Sequence, residues 1–290
     1  MTVNSRQFFI QGYADSATTS ALARLRQRTL FMIKPEGMKR LGDVLTSVEK
    51  SGLIVASLKS IRLDAKAAKE WVTSNDSMDS VDETMLSGSV CVVMDLRGSN
   101  AIEVCSSLCK ASSTSSDSKS SQDFLYTSPS PDKAIGDLTF FFGSKAPRSS
   151  ATCKSCSLCL VKPHAVAQGN AGKIIQAISS SSKMEISACE KISFTKQDCA
   201  EFLESYSFLS RFSDHITEMA SGPCYAIEIR GEDVVSTLRA FAGPYDVVVA
   251  KELAPASLRA RFGCNSIQNA VHVTDLDTDG TIECAFAFGS

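Results

Sequence analysis

RTLFMIKPEGMKRLGDVLTSVEKSGLIVASLKSIRL (residues 28–63) is answered later in the chain by CSLCLVKPHAVAQGNAGKIIQAISSSSKMEISACEKISF (156–194). Each stretch runs from a short apolar segment into Lys-Pro, then through a loop with Gly into an amphipathic helix and a second apolar segment. Self-similarity on this scale marks a duplicated unit. Farther on, VVMDLRG (92–98) is matched by AIEIRG (226–231), and DLTFFFGS (137–144) by ECAFAFGS (283–290). Lys34 therefore corresponds to Lys162, Arg97 to Arg230 and Asp137 to Glu283. The spacing between equivalents grows along the chain, so the first copy is the shorter one, and most of its missing residues fall after its Arg-Gly.

The local patterns predict the elements of the unit. SLCLVK, YAIEIR and ECAFAF are short runs, alternating or continuously apolar, as half-buried and buried strands are. AGKIIQAISSS places Ile174, Ile175 and Ile178 on one helical face. TKQDCAEFL opens with Thr195 and Asp198 at the spacing of a capping box. A β-α-β-β-α-β order with added helices predicts an α/β protein, an α+β sandwich made of two tandem ferredoxin-like βαββαβ domains. The domains are expected at 28–146 and 156–290, joined by a Lys/Pro/Ser linker at 147–155 and preceded by a partly extended, partly helical lead-in at 1–27. CKASSTSSDSKSSQ (109–122) has no apolar periodicity, which predicts a flexible loop.

Composition narrows the function. The chain has 290 residues, 43% of them hydrophobic and 21% charged, a globular composition with length for two cores. A net charge of -2 offers no electrostatic footprint for phosphate backbones, so no nucleic acid partner is expected. No apolar run approaches the ~20 residues that span a bilayer, and the first residues lack the basic-then-apolar order of a signal peptide. The expectation is an intracellular protein with no membrane partner. The 11 cysteines are an odd number scattered through apolar stretches and read as small buried hydrophobes. CKSCSLC (153–159) has a spacing seen in iron–sulfur ligation, yet it lacks a nearby fourth cysteine and runs into a strand, which favours a structural reading. No protein-held metal is expected.

Groups suited to a polyphosphate gather where the elements of the second copy end. Lys162 closes a strand, Arg239 closes the helix after RGEDVVST, and Arg259 sits in PASLRARFG. Arginine offers forked contacts to phosphoryl oxygens and lysine a point charge. His272, in QNAVHVTDL (268–276), is one of only three histidines. An imidazole can act as a nucleophile when one ring nitrogen is free and the other is held by an acceptor, and Glu283 is the acceptor expected for it.

LVKPHAV, EMASGPCYAIEIRG, LRAFAGP, PASLRARFG and QNAVHVTD follow one another in the order and spacing of the nucleoside diphosphate kinase family, which residues 156–290 resemble throughout. Residues 28–144 resemble it more weakly. The tandem arrangement resembles the branch of that family linked to ciliary and flagellar microtubules and to γ-tubulin complexes. The resemblance implies that His272 takes the γ-phosphate of a nucleoside triphosphate as a phosphohistidine and passes it to a diphosphate. It further implies that Lys162, Arg239, Arg259 and Asn269 hold phosphates and ribose hydroxyls, that Glu283 orients the histidine, that Phe212 stacks on the base, and that Mg²⁺ arrives with the nucleotide. The implied partners are nucleotides and tubulin or a doublet microtubule. The implied location is the cytoskeleton of a cilium or flagellum, and the implied state a monomer whose copies form an internal pseudo-dimer.

The second copy departs from the family in places. Counted from Lys162, Phe202 stands where an active-site tyrosine is expected. Tyr245 stands near the place of a phosphate-contacting threonine, and Val273 and Thr274 replace the glycine and serine that follow the histidine. A lost hydrogen bond to a charged group costs about 1.5–3 kcal/mol, roughly tenfold or more in rate. In the first copy His272 aligns with Tyr126, Asn269 with Asp123 and Arg239 with Ser106, while Arg259 falls inside the Ser-rich stretch. Only Lys34 is retained, which predicts a non-catalytic domain. The expected function is therefore a structural one at axonemal microtubules, with nucleotide binding and residual transfer in the second copy. The alternative is an active kinase working by a ping-pong phosphohistidine mechanism.

Overall fold

A computed structural model describes residues 27–75, 80–113, 124–208 and 211–289, and ahead of them residues 2–3, 6–7, 15 and 18. Thr2–Val3 pairs with Arg6–Gln7. The rest of the expected lead-in lies outside the described residues. The first copy runs β1 (Gln27–Ile33), α1 (Leu41–Lys50), β2 (Ile54–Arg62), α2 (Ala65–Thr73), α3 (Ser80–Leu86), β3 (Val90–Gly98), α4 (Ala101–Ser113), β4 (Leu125–Thr127) and α5 (Pro131–Phe142). The second repeats it as β5 (Ser157–Val161), α6 (Pro163–Ala167), α7 (Ala171–Ser179), β6 (Glu185–Ile192), α8 (Lys196–Phe202), α9 (Phe212–Met219), β7 (Cys224–Arg230), α10 (Val234–Ala242), α11 (Val247–Leu253), α12 (Leu258–Phe262), β8 (Val271–Val273) and α13 (Gly280–Phe288).

The eight strands of the two copies form one sheet in the order β8-β5-β7-β6-β2-β3-β1-β4, and every neighbouring pair is antiparallel. The order reads the same from either end once equivalent strands are matched, with the join at β6 and β2. There Lys59 lies opposite Glu190, and the Cys189 N–H donates to Ser60 Oγ at 2.7 Å. The linker lies across this join. Pro147 accepts from Lys59 Nζ, and the Ser150 hydroxyl lies 2.9 Å from Ser60 Oγ and 2.8 Å from the Ser187 carbonyl oxygen.

The period-2 alternation of the strands sorts their side chains onto two faces. One face carries a single core that crosses the join, from Phe31, Val92 and Met94 through Leu45, Val48, Ile174 and Ile178 to Val161, Ile227 and Leu238. The other face carries two separate cores, around Trp71, Tyr126 and Phe141 in the first copy and around Leu160, Cys224 and Cys284 in the second. The helices over the join meet backbone to backbone. A Cβ on Gly42 would lie 2.2 Å from the Gln176 nitrogen, and one on Gly172 would lie 2.4 Å from the Thr46 nitrogen. Gly172→Leu is therefore expected to lower stability by about 1–3 kcal/mol or more, as overpacking does, read as a shift in the urea midpoint. An unchanged midpoint would mean that α1 and α7 do not approach this closely.

Two expectations are corrected. DLTFFFGS and ECAFAFGS are not final strands but parts of the helices α5 and α13. Their buried positions, Ala134, Asp137, Leu138 and Phe141 in one and Gly280, Cys284 and Ala287 in the other, recur at helical spacing. Ser130 also caps α5 by accepting from the Lys133 N–H, with Pro131 in the first turn. The closing strand of each unit is instead β4 or β8. The supposed loop from residue 109 is helical through Ser113. The Ser107 and Ser112 hydroxyls donate to carbonyls four residues back, which lets serine sit in a helix without competing with its backbone bonds. Residues 114–123, Asp123 among them, lie outside the described residues. Among the described residues no helix is long and apolar enough to cross a membrane.

Candidate functional site

β8 pairs only with β5, placing His272 opposite Leu160 at the edge of the sheet. Its ring closes one wall of a cavity of about 600 Å³ that is also lined by Lys162, Arg239, Arg259, Phe212, Tyr206 and Asp275. This is a size suited to a small organic ligand. Phe202 and Tyr206 meet the imidazole edge-on, with centroids at 5.0 and 6.0 Å. His272 Nε2 lies 3.2 Å from Glu283 Oε1, and the Thr274 hydroxyl donates to Glu283 Oε2 at 2.7 Å. In the tautomer that donates Nε2–H to Glu283, Nδ1 carries the lone pair. Glu283 reaches the ring from α13, not from a strand.

The cations arrive from three directions. Lys162 follows β5 and caps α6, and its Nζ donates to the Ile267 carbonyl at 3.0 Å. Burial, with Arg259 adding to it, brings its ammonium down to about 7. Arg259, in α12, donates to the Gly243 carbonyl at 2.8 Å and to the Val271 carbonyl at 3.4 Å, so it also braces the residue before His272. Its Nε is buried with no partner among the described residues. Gly243 has φ 82, and a Cβ there would meet Ser257 Oγ at 2.2 Å. Only glycine lets the chain turn at this point. Arg239 is the more exposed cation, with Nε 3.4 Å from Asp275 Oδ1.

A buried lysine of this kind titrates where phosphate binding is measured. A polyanion such as ADP bound beside Lys162 would require the ammonium, so protons would be taken up on binding once the free protein is above pH 7. Affinity should then fall by up to about tenfold per pH unit between 7.5 and 9. Calorimetry of the wild type and of Lys162→Ala checks this, because the slope should flatten in the variant. The same shift makes the stability of the unliganded fold rise with pH between about 7 and 10.5, where the unfolded chain holds a proton that the folded chain lacks.

Other expected residues fall differently. Phe212 lines the cavity, and so does Phe208, which is 80% exposed. Together they form the apolar side suited to a base. Asn269 is fully buried behind the lining. Its Nδ2 donates to the Tyr245 carbonyl, and its Oδ1 has no partner among the described residues. Phe202 sits with Phe194 and Phe286 in the core beneath His272, and the next residue, Leu203, lines the cavity in its place. Tyr206 also lines the cavity, and its hydroxyl donates to Asp275 Oδ2 at 2.5 Å. Tyr206 and Asp275 were missed by sequence reasoning although both lie close to motifs, one a helical turn past Phe202 and the other three residues past His272. His215 was also missed. It lines the cavity beside Tyr245, and burial lowers its pKa.

In the first copy the equivalent place is filled. Tyr126 lies opposite Met32, as His272 lies opposite Leu160. Its hydroxyl donates to Asp137 Oδ2 at 2.9 Å, which also accepts from the Ser128 hydroxyl at 2.6 Å. Trp71 donates to Asp137 Oδ1 at 3.0 Å and packs edge-on against Tyr126 at 5.2 Å. Lys34 is paired with Asp82 at 2.5 Å.

One group of potential cation ligands lies elsewhere. Cys156, Glu228 and Cys284 bring their ligand atoms within 4.8 Å of one another. The carboxylate there is already occupied, accepting from the Ser187 hydroxyl at 2.6 Å and the Cys153 N–H at 2.7 Å. It ties the linker to β7.

Comparison with known proteins adds to this geometry. The family described as "Nucleoside diphosphate kinase" matches residues 27–146 and 155–290. The chain is similar to "Nucleoside diphosphate kinase homolog 7" of Rattus norvegicus, 32% identical over 307 residues, which cover 99% of this chain and 78% of that protein. It is also similar to "Nucleoside diphosphate kinase" of Aquifex aeolicus, 33% identical over 132 residues, 46% of this chain and 92% of that one. A crystal structure of the Aquifex aeolicus nucleoside diphosphate kinase aligns with 46% of this chain and 93% of its own, at 32% identity and a TM-score of 0.44.

Proposed function

Because the chain belongs to the nucleoside diphosphate kinase family through both of its copies, we propose that the second copy binds a nucleoside triphosphate and carries its γ-phosphoryl group on His272. The observation that carries this reading is the shared cavity: an imidazole with one nitrogen engaged by Glu283 stands in the same 600 Å³ space as Lys162, Arg239 and Arg259. The Nδ1 lone pair attacks the γ-phosphorus, the bond to the β,γ-bridging oxygen breaks, and the nucleoside diphosphate leaves with that oxygen. Glu283 offsets the positive charge that develops on the ring, and the cations hold the phosphates in line. A second diphosphate then takes the phosphoryl group from Nδ1 by the reverse path. Phe208 and Phe212 give the base an apolar stacking side.

The donor set also fits Mg²⁺ carried by the nucleotide, since Asp275 is a hard oxygen ligand that lines the cavity among the cations. The ion would neutralise phosphate charge during transfer. Incubation with γ-labelled ATP and Mg²⁺ tests the reading: an acid-labile label on the intact chain is expected, and no label at high protein concentration would refute it.

The filled site of the first copy favours a second, compatible role. A domain whose former site is packed with Trp71, Tyr126 and Asp137 contributes surface and stability rather than chemistry. The resemblance to the tandem branch supports a place for the chain, as a monomer with paired copies, on ciliary or flagellar microtubules beside tubulin or γ-tubulin complex proteins. Salt-washed doublets that retain the protein would agree with this, and doublets that lose all of it would count against it.

A further inference from the structure

The short segment leading into β8 holds an uncommon backbone. Ala270 has φ 70, and the Val271 N–H donates to the Asn269 carbonyl across it at 2.9 Å. A turn of this kind at a residue with a side chain is strained and persists only where its surroundings impose it. It stands two residues before His272, so its geometry is passed directly to the nucleophile.

His164 supplies much of that surrounding structure. The Ala270 N–H donates to His164 Nε2 at 3.2 Å. On the other edge of the ring, His164 Nδ1 lies 2.7 Å from Glu218 Oε1. Accepting at Nε2 requires the proton on Nδ1, so the ring donates to Glu218 in a single neutral tautomer. Glu218 is held in turn: its Oε1 accepts from the His164 backbone N–H at 3.2 Å and its Oε2 from Gln268 Nε2 at 3.1 Å. The carboxylate thus grips the start of α6 and, through Gln268, the same segment that carries Ala270. The Ala270 carbonyl accepts from the Lys162 N–H at 2.9 Å, closing the arrangement.

We propose that His164 and Glu218 are a positioning pair, which imposes the turn at Ala270 and thereby sets the His272 imidazole against the phosphate cavity. The consequence for catalysis rests on the phosphotransfer reading above, whereas the structural contact does not. Neither residue lies within the wall that holds His272; both act through the backbone between Gln268 and Val271.

The pair also makes the position of His272 sensitive to acid. Protonating His164 would set an N–H against the Ala270 N–H. The groups facing the ring are Glu218 on α9, Lys162 before α6 and, beyond Glu218, Gln268, with the Cys224 thiol of β7 near Lys162 and Glu218. Burial lowers the His164 pKa, Glu218 raises it and Lys162 lowers it, and the balance lies below the ordinary histidine value. Protons can arrive from the side away from the phosphates, where Glu218 borders a separate opening of about 320 Å³ with Arg211, Asp214 and Asn265.

The test uses the full chain with His164→Leu, which removes the acceptor, and His164→Gln, whose Oε1 reaches about as far as Nε2 and does not titrate. Two quantities are read: hydrogen exchange at the Ala270 amide, and the single-turnover rate of His272 labelling beside ADP affinity. His164→Leu should exchange the Ala270 amide at least about tenfold faster and label about tenfold or more slowly, with ADP affinity within about twofold, because a small misplacement of a reacting group acts on the rate. His164→Gln should recover most of the labelling rate and lose less of it than the wild type does when the pH is lowered from 7 to 5.5. Wild-type protection of the Ala270 amide in His164→Leu would overturn the pair, and so would labelling of that variant at the wild-type rate. Should the wild-type chain take no label, only the phosphotransfer reading falls, and the exchange measurement still decides whether the pair imposes the turn.

Discussion

His272→Ala is expected to abolish the acid-labile label and to lower γ-phosphoryl transfer by at least about 10⁴-fold, as the loss of a nucleophile does in enzymes of covalent mechanism. The reason is local. Of the residues lining the cavity, Arg239 and Arg259 stay charged and offer no lone pair, Lys162 is committed to the Ile267 carbonyl, and His215 stands beside Tyr245 with no hydrogen-bonded carboxylate among the described residues such as Glu283 is for His272. ADP affinity should change little, because Lys162, Arg239 and Arg259 remain in the cavity. Rapid-quench labelling together with calorimetry checks both halves. A variant that still acquires acid-labile phosphate would move the nucleophile elsewhere in the chain.

Trp71→Ala should have the largest effect on stability. Its ring is almost wholly buried, meets Tyr126 and Phe141 edge-on, and donates to Asp137 Oδ1. Truncating a buried tryptophan costs about 3–5 kcal/mol, and the buried Asp137 would lose one of its donors as well. Against the 5–15 kcal/mol that typically separates folded from unfolded domains, that loss is large. Urea denaturation should show it as a much lower midpoint, and a shift under about 1 kcal/mol would mean that the cluster around Asp137 does not stabilise the first copy. The polar groups around Asp137 would then have a structural task in this copy.

The helix misread as a strand shows where sequence patterning runs out. ECAFAF alternates large and small residues as an edge strand does, yet the buried members of the helix that contains it, Gly280, Cys284 and Ala287, follow helical spacing. Over six residues the two periods are hard to separate. Phe202 illustrates a second limit: counting from Lys162 assigned it a place in the cavity, but the end of α8 turns Leu203 and then Tyr206 toward the ligand space. Position along the chain does not specify which way a side chain leaves a helix terminus. Tyr206 could have been found by looking one turn ahead for a hydroxyl. The tie between His164 and Ala270 had no local signal, since its partners are far apart in sequence.

What the residues determined unaided was the duplication and the α+β class. Repeated Lys-Pro, Arg-Gly and helical faces are local patterns, and local patterns survive in one dimension. Tertiary structure alone decided that the copies share one eight-stranded sheet, that Glu283 meets His272 from a helix, that Asn269 is withdrawn from the cavity, and that Tyr126, Trp71 and Asp137 close the first site. Each of these depends on which strand edges pair and which faces are buried together, and those contacts join residues that the chain itself keeps apart.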